Sequence, residues 1–292
     1  MRTFRDAVRS KEFSVSAEIY LRPETDAASI RQQVAVLKDS VDAVLLTDNQ
    51  YGQLHMSPLA AASILLGCGV DPVVQVTCRN RNRIALLSDL LGAGAIGVTS
   101  LLLGAGERAP KGFKPRPKPV LDLKAADLIR TAATLKLDER LRNCPDFFVG
   151  GLVTPVAPRS GWKPKKLLDK IDAGAQFVQM HICMDMALLR RYMKHLVERK
   201  LLQRTSVIGA VAVLGSAEDA RWLRENRPNV QLPEAFVERL NQAGDPESEG
   251  IRICAETIRD LQKTPGIDGV NIMAARSLEA IPEVLRAAGL FD

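Results

Sequence analysis

The chain has 292 residues, of which 46% are hydrophobic and 25% charged, and its formal net charge is +6. This composition excludes intrinsically disordered and collagen-like proteins, and the length suits one α/β barrel, which typically takes about 250 residues. The five cysteines are scattered and form no CxxC pair. That pattern argues against a disulfide framework and against a structural zinc site.

Membrane and nucleic-acid partners are not expected. No apolar stretch approaches the roughly 18 residues of a membrane span, and the amino terminus has no apolar signal core. We therefore expect a cytoplasmic protein. No helix-turn-helix, zinc-finger or RNA-binding signature is visible. Basic residues concentrate at 111–118 and 163–170. Each segment is either solvated surface or a contact to an anionic ligand.

Eight short apolar runs follow one another along the chain, each followed by a longer segment of helical periodicity. The runs cover residues 13–20, 43–47, 73–77, 96–103, 147–153, 177–184, 206–213 and 269–274. Nearly continuous apolar runs are typical of parallel strands that helices cover on the outside. The sequence therefore predicts eight parallel strands.

The segments between the runs predict helices at 26–40, 59–66, 80–91, 123–135, 164–173, 186–201, 217–225, 251–262 and 278–288. The polar stretch 241–250 is predicted as a loop. Strand–helix units with right-handed crossovers can close into a barrel. An open doubly wound sheet is the rival fold, but its GxGxxG motif after the first strand is missing. We predict a single (β/α)8 TIM barrel domain over residues 1–292.

Active sites of such barrels lie at the carboxyl ends of the strands. Glu18 stands in an apolar run there, and a carboxyl group facing the mouth has a raised pKa that suits a general acid. The alternative is that Glu18 points outward and pairs with a Lys or Arg. His181 lies in another apolar run, where a structural role is favoured from the residues alone. His181 and Cys183 do not make a metal site, so none is predicted.

Several sequence blocks are similar to those of a known enzyme family. They are QVTCRNRNRIALLSDLLGAGAIGV at 75–98, SAEIYLRP at 16–23, KPVLDL at 118–123 and KIDAGAQFVQMHICMD at 170–185, together with GIRICAETIRDL, GVNIMA and IPEVLRAAGL towards the carboxyl terminus. These blocks resemble methylenetetrahydrofolate reductases. The resemblance covers nearly the whole chain, and the block around residues 78–91 is the most specific.

The resemblance implies a barrel that holds FAD at the strand ends, where NADH or NADPH and a tetrahydrofolate derivative react in turn. It implies Glu18 as the general acid. The cofactor-binding positions that it implies are Thr47, Gln75, Gly104, Ala105, Thr154 and Lys170, and the substrate-binding positions are His181 and Ser216. Members of the family are often oligomers, so a homo-oligomer is expected.

Some family positions differ in this chain. Ala105 replaces an aspartate near the flavin, with Glu107 close by in sequence. His181 aligns with a folate-contacting glutamine, and Ser216 aligns with a stacking aromatic. These differences leave open a flavin-free hydride transfer from the nicotinamide, and they leave the physiological direction open. The alternative function is a folate- or nucleotide-binding subunit of a one-carbon or demethylation system without reductase activity of its own. In either case the basic loop 111–118 is predicted to meet a nucleotide phosphate or the folate glutamate tail.

Overall fold

Eight parallel strands close into a barrel in chain order, with the last strand paired to the first. The computed structural model describes residues 2–10, 12–141, 144–227 and 229–290. The strands are β1 (Ser14–Ile19), β2 (Ala43–Leu46), β3 (Pro72–Thr77), β4 (Ser100–Gly104), β5 (Phe148–Val153), β6 (Phe177–Met180), β7 (Ser206–Val213) and β8 (Gly269–Ala274). The predicted (β/α)8 barrel is confirmed.

Helices surround this barrel and bury their apolar stripes against the strands. They are α1 (Phe4–Arg9), α2 (Ala27–Leu37), α3 (Pro58–Gly67), α4 (Arg83–Ala95), α5 (Ala125–Thr134), α6 (Lys165–Asp172), α7 (Met186–Glu198), α8 (Ala217–Asn226), α9 (Glu234–Gln242), α10 (Pro246–Gln262) and α11 (Ala280–Ala288), with 3-10 turns at Gln50–Gly52 and Leu135–Leu137. Side chains that accept a backbone N–H at the helix start explain several boundaries, namely those of Asp26, Asn82, Asp185, Ser216 and Asp245. No helix among the described residues is long and apolar enough to cross a membrane.

Two predicted strand boundaries are wrong. The fourth strand was expected over 96–103, but Ile96 caps the end of α4 and Gly97 has a φ of +95°. This left-handed conformation suits glycine and turns the chain, so β4 begins only at Ser100. The sixth strand ends at Met180, earlier than predicted.

The predicted loop at 241–250 is also wrong. Helix α9, which was not predicted, continues to Gln242, and α10 begins at Pro246. Asp245 accepts the N–H of the residue at the third helical position, and proline at the first position has no N–H to lose. The polar composition therefore marks a helix start, and little of the stretch is loop.

The barrel interior is filled at its amino-terminal end, which we call the floor. Phe148 and Phe177 stack with ring centroids 4.9 Å apart, and Phe4 of α1 meets Phe177 edge-on at 5.4 Å. Helix α1 thus closes the floor like a plug, and its Phe4 N–H donates to Asp71 Oδ2 at 2.7 Å. The open space of the interior consequently lies at the opposite end, at the carboxyl ends of the strands.

Candidate active site

A cavity of about 900 Å³ occupies the carboxyl end of the barrel, and each of the eight strands contributes to its lining. We call it the main cavity. It brings together nearly all of the positions that the family resemblance implied, namely Glu18, Thr47, Gln75, Gly104, Ala105, Thr154, Lys170 and His181. Parallel strands end at one edge, which explains why residues so distant in sequence meet here.

Glu18 lies on β1 at the wall of the main cavity and is only 7% exposed. Its Oε1 accepts a hydrogen bond from Gln50 Nε2 at 3.0 Å and lies 3.3 Å from Arg227 Nη2. Burial raises the pKa of Glu18, the guanidinium of Arg227 opposes this shift, and Glu107 adds to it. A buried carboxyl with a raised pKa at a ligand cavity can hold a proton and deliver it.

Arg227 is a site residue that sequence reasoning missed. It follows α8 as its C-cap, 209 residues from Glu18 in the sequence. Its Nε donates to Tyr51 Oη at 2.6 Å, and its guanidinium lies 5.1 Å from the centre of the Tyr51 ring. No local motif marks such a residue, because only the closed fold brings the end of α8 over β1. The ion pair favours the charged form of Glu18.

The turn after β2 presents Gln50 and Tyr51 to this ion pair. Asn49 and Tyr51 have φ angles of +49° and +57°, a left-handed conformation that costs energy outside glycine. Glu107 Oε2 accepts the Tyr51 N–H at 2.7 Å, and a Cβ at Gly52 would lie 2.1 Å from a backbone oxygen of the loop after β4. Two loops are therefore locked together to hold Gln50 and Tyr51 in place.

A partly buried ion pair between Asp48 and Arg81 stiffens the wall beside Thr47. The carboxylate of Asp48 accepts two hydrogen bonds from Arg81, at 2.6 and 2.9 Å, and further hydrogen bonds from Thr77 N–H and O–H at 2.8 and 2.6 Å. The Asp48 N–H donates to Gln75 Oε1 at 3.1 Å. Gln75 is thereby oriented with its oxygen engaged by the protein, which leaves its amide N–H groups for a ligand.

Thr47 presents a polar atom without a protein partner. Its Oγ1 is buried, and no hydrogen-bond partner for it lies among the described residues. A buried hydroxyl without a partner is unusual in a folded protein and costs free energy. Because Thr47 lines the main cavity, this atom is suited to bind a ligand there.

His181 faces the main cavity directly after β6. Burial lowers the pKa of His181 to about 4, and the positive charges of Arg227 and Lys170 contribute. The imidazole is therefore neutral near neutral pH and can donate one hydrogen bond and accept another.

Lysines line one side of the main cavity, on α6 and just before it. They are Lys163, Lys165, Lys166 and Lys170. Within the described ranges none of them forms an ion pair. Burial lowers the pKa of Lys170, and the charge of Lys166 adds to this effect. Uncompensated lysines favour an anionic ligand group at this side. The other basic segment, 111–118, does not contribute to the lining of the main cavity.

Ser216 lies apart from the other predicted residues. It is the N-cap of α8, where its Oγ accepts from Asp219 N–H at 3.1 Å and from Arg276 Nη2 at 3.0 Å. It is not among the residues that line the main cavity. No group of three or more His, Cys, Asp or Glu side chains in the described part of the chain is placed to hold a metal ion.

Comparison with known proteins agrees with this geometry. The family model of methylenetetrahydrofolate reductase matches residues 3–289. The chain belongs to the methylenetetrahydrofolate reductase family. Over 235 residues it is 23% identical to a probable methylenetetrahydrofolate reductase (NADPH) of Caenorhabditis elegans, a match that covers 79% of this chain and 34% of that protein. The chain thus spans about a third of the length of this curated family member.

Two solved structures share the barrel. An uncharacterised protein from Clostridium thermocellum that binds two copies of 5-methyl-5,6,7,8-tetrahydrofolic acid superposes with a TM-score of 0.70 at 13% identity, over 98% of both chains. Tryptophan synthase of Mycobacterium tuberculosis superposes with a TM-score of 0.52 at 13% identity, over 98% of this chain and 95% of that one. At 13% identity these two similarities support the fold of this chain and carry no information on its ligands.

Proposed function

We propose that this chain interconverts 5,10-methylene- and 5-methyl-tetrahydrofolate with NADH or NADPH as the hydride source. The observation that carries the proposal is the buried Glu18 carboxyl, whose pKa is raised, at the wall of the main cavity. Family membership supports it. So do the reductase name of the nematode family member and the methyl-tetrahydrofolate bound by the clostridial protein of the same fold.

In this function Glu18 is the general acid. In the reductive direction the Glu18 carboxyl donates its proton to a folate ring nitrogen as the imidazolidine ring opens to an iminium, and the iminium carbon then takes up a hydride. A dinucleotide held in the main cavity would supply that hydride. Gln50 orients the carboxyl through the hydrogen bond to Oε1. The neutral His181 is available to hydrogen-bond the pterin ring.

The residues of the main cavity fit a dinucleotide. Its volume of about 900 Å³ lies within the range of ligand sites, about 300–1,000 Å³. The unpartnered Thr47 Oγ1 is suited to a ring system of the cofactor, and Gln75, Gly104, Ala105 and Thr154 line the same cavity. The lysines at the other side suit phosphates, and Lys170 among them is a position that the family resemblance implies. We propose that these residues hold FAD or, in flavin-free working, the nicotinamide nucleotide itself.

An absorption spectrum of the purified protein decides between these cofactors. Flavin bands that NADH or NADPH bleaches and methylene-tetrahydrofolate restores would assign FAD. A colourless protein that takes up no added FAD, yet oxidises NADH or NADPH when methylene-tetrahydrofolate is supplied, would assign direct transfer.

Substitution Glu18→Gln tests the proposed function. We expect kcat for methylene-tetrahydrofolate reduction to fall by about 100-fold or more, as loss of a general acid typically causes. Binding of methyl-tetrahydrofolate should persist, because Gln keeps the shape of the side chain. Glu12→Gln, at an exposed glutamate, is the matched control and should leave kcat unchanged. An unchanged rate in Glu18→Gln would contradict the role of Glu18 as proton donor.

The alternative is a folate- or nucleotide-binding subunit without turnover of its own. The Arg227 ion pair, which favours the charged form of Glu18, is the observation that speaks for it. That alternative predicts that the wild-type protein binds methyl-tetrahydrofolate but oxidises no NADH or NADPH under any supply of methylene-tetrahydrofolate.

A further inference from the structure

A second cavity, of about 400 Å³, opens at the same end of the barrel. Gln50 and Arg227 line both cavities and form their common wall. We call the second one the side cavity. It lies over the ends of β1 and β8 and beside α8, where Met273 and Ala274 provide the apolar part of its lining.

Aromatic rings form one side of the side cavity. The Tyr51 ring meets Tyr20 edge-on at 5.5 Å and Trp222 at 5.2 Å. Trp222 is 47% exposed although it is a large apolar side chain. The exposed part of the Trp222 ring can stack with a planar aromatic group of a ligand.

Charged groups stand at the rim of the side cavity. Arg22 lies over the Tyr20 ring at 5.4 Å, and among the described residues it has no carboxylate within ion-pair distance. Glu24 lies at the same rim and can accept an N–H. Asp219 is already bound by Arg276 at 2.7 Å. The free guanidinium favours a ligand carboxylate, which it can bind through two parallel hydrogen bonds.

We propose that the side cavity binds the p-aminobenzoyl-glutamate arm of the folate, which leaves the main cavity to the dinucleotide. This assignment rests on the proposed function. The arm combines a planar ring, an amide N–H and carboxylates, which match the aromatic rings, Glu24 and Arg22. Phosphates suit the lysine-lined side of the main cavity better. Glu18 touches both residues of the common wall, so the pterin attached to this arm meets the dinucleotide beside Glu18.

The chain contains two tryptophans, one in each cavity: Trp162 lines the main cavity and Trp222 the side cavity. Their indole N–H signals in heteronuclear NMR therefore report on the cavities separately, and Trp162→Phe and Trp222→Phe assign them. We expect p-aminobenzoyl-glutamate to shift the Trp222 signal and to leave the Trp162 signal in place. Nicotinamide mononucleotide should shift only the Trp162 signal. A shift of Trp162 by p-aminobenzoyl-glutamate, a shift of Trp222 by the mononucleotide alone, or no shift with p-aminobenzoyl-glutamate would overturn the assignment.

Arg22→Ala provides a second test on a side chain at the protein surface. We expect the Kd for p-aminobenzoyl-glutamate to rise about tenfold, as loss of a charge-assisted hydrogen bond typically causes. Arg31→Ala is the matched control, because Arg31 is an exposed arginine of α2 that lines neither cavity. An unchanged Kd in Arg22→Ala would contradict the contact.

These readouts separate the two proposals. Fragment binding needs no turnover, so a protein without reductase activity whose Trp222 signal shifts with p-aminobenzoyl-glutamate would retain the assignment and lose the proposed reaction. An active reductase in which the fragment shifts Trp162 would lose only the assignment.

Discussion

The floor of this barrel and its carboxyl-terminal end, which we call the mouth, differ in how well their side chains are packed and hydrogen-bonded. At the floor, Phe4, Phe148 and Phe177 pack ring against ring and are almost completely buried. At the mouth, the turn with Asn49 and Tyr51 is strained and the hydroxyl of Thr47 has no described partner. The aromatic packing at the floor stabilises the fold, whereas the strained turn and the unpartnered hydroxyl at the mouth cost free energy where a ligand is proposed to bind. Such departures are expected at functional sites.

The largest expected effect comes from emptying the floor. The Phe177 ring fills the space above Gly150, where an added Cβ would lie 2.2 Å from it. We expect Phe177→Ala to lower the free energy of unfolding by about 3–5 kcal/mol, because it creates a cavity. Urea unfolding measures this loss, and methyl-tetrahydrofolate binding to the folded fraction should not change. Trp222→Ala at the mouth is the comparison and should cost about 0.5 kcal/mol or less, as surface substitutions usually do. Equal losses in the free energy of unfolding for Phe177→Ala and Trp222→Ala would contradict the stated difference between the floor and the mouth.

Some buried polar groups at the amino-terminal end of the barrel depart from this pattern, and Asp71 is one of them. Asp71 is buried, and although Phe4 N–H donates to its Oδ2, its Oδ1 has no described partner. Burial raises the pKa of Asp71 to about 6, against the partial opposition of the Phe4 N–H. The native state therefore binds the proton more tightly than the unfolded chain. The contribution of Asp71 to the free energy of unfolding therefore declines as the pH rises from about 4 to about 6, and it stays low above that range.

Asp71→Asn removes this titration while keeping an acceptor for Phe4 N–H. We expect a gain of about 2–3 kcal/mol in the free energy of unfolding near pH 8 and almost none near pH 3.5. Urea unfolding of both proteins at several pH values measures the difference. A difference that is constant with pH would show that Asp71 does not titrate in this range.

The sequence predicts the eight strands better than it predicts the short helices. Continuous apolar runs predicted every strand, because a parallel barrel strand is buried on both faces. Helix α1 has six residues, too few for a periodic pattern to show. Helix α9 buries only Val237 and Leu240, so little apolar signal marks it. Short elements that depend on tertiary packing carry weak local signals.

The residues of the candidate site also differ in how well the sequence predicts them. The positions of Glu18, Thr47 and His181 beside the main cavity could be predicted because they stand at strand ends, and the barrel topology brings strand ends together. Arg227 and Tyr51 could not, because one follows a helix and the other lies in a strained turn. Their contact with each other depends on the final packing of loops, which no local pattern encodes.

The pH dependence of kcat/KM tests whether Arg227 controls the protonation of Glu18. A general acid works in its protonated form, so activity falls as the pH rises through its pKa. The guanidinium lowers the pKa of Glu18. We therefore expect Arg227→Gln to move the alkaline limb of the kcat/KM profile to higher pH. Arg31→Gln is the control and should leave the limb in place. A limb that stays fixed or moves to lower pH would contradict the coupling of Arg227 to Glu18.

The smallest expected effect is at Thr47, where stability and binding should change in opposite directions. Thr47→Val keeps the shape of the side chain and removes the unpartnered hydroxyl. We expect the unliganded protein to gain about 1 kcal/mol in the free energy of unfolding, the approximate cost of a buried unsatisfied group. The Kd for the dinucleotide should rise about fivefold, because one hydrogen bond of about 1 kcal/mol is lost. Urea unfolding and isothermal calorimetry measure the two changes. If the Thr47 hydroxyl does not bind the dinucleotide, the Kd will instead stay unchanged. The unpartnered hydroxyl at the carboxyl end of the barrel would then be no sign of a binding site.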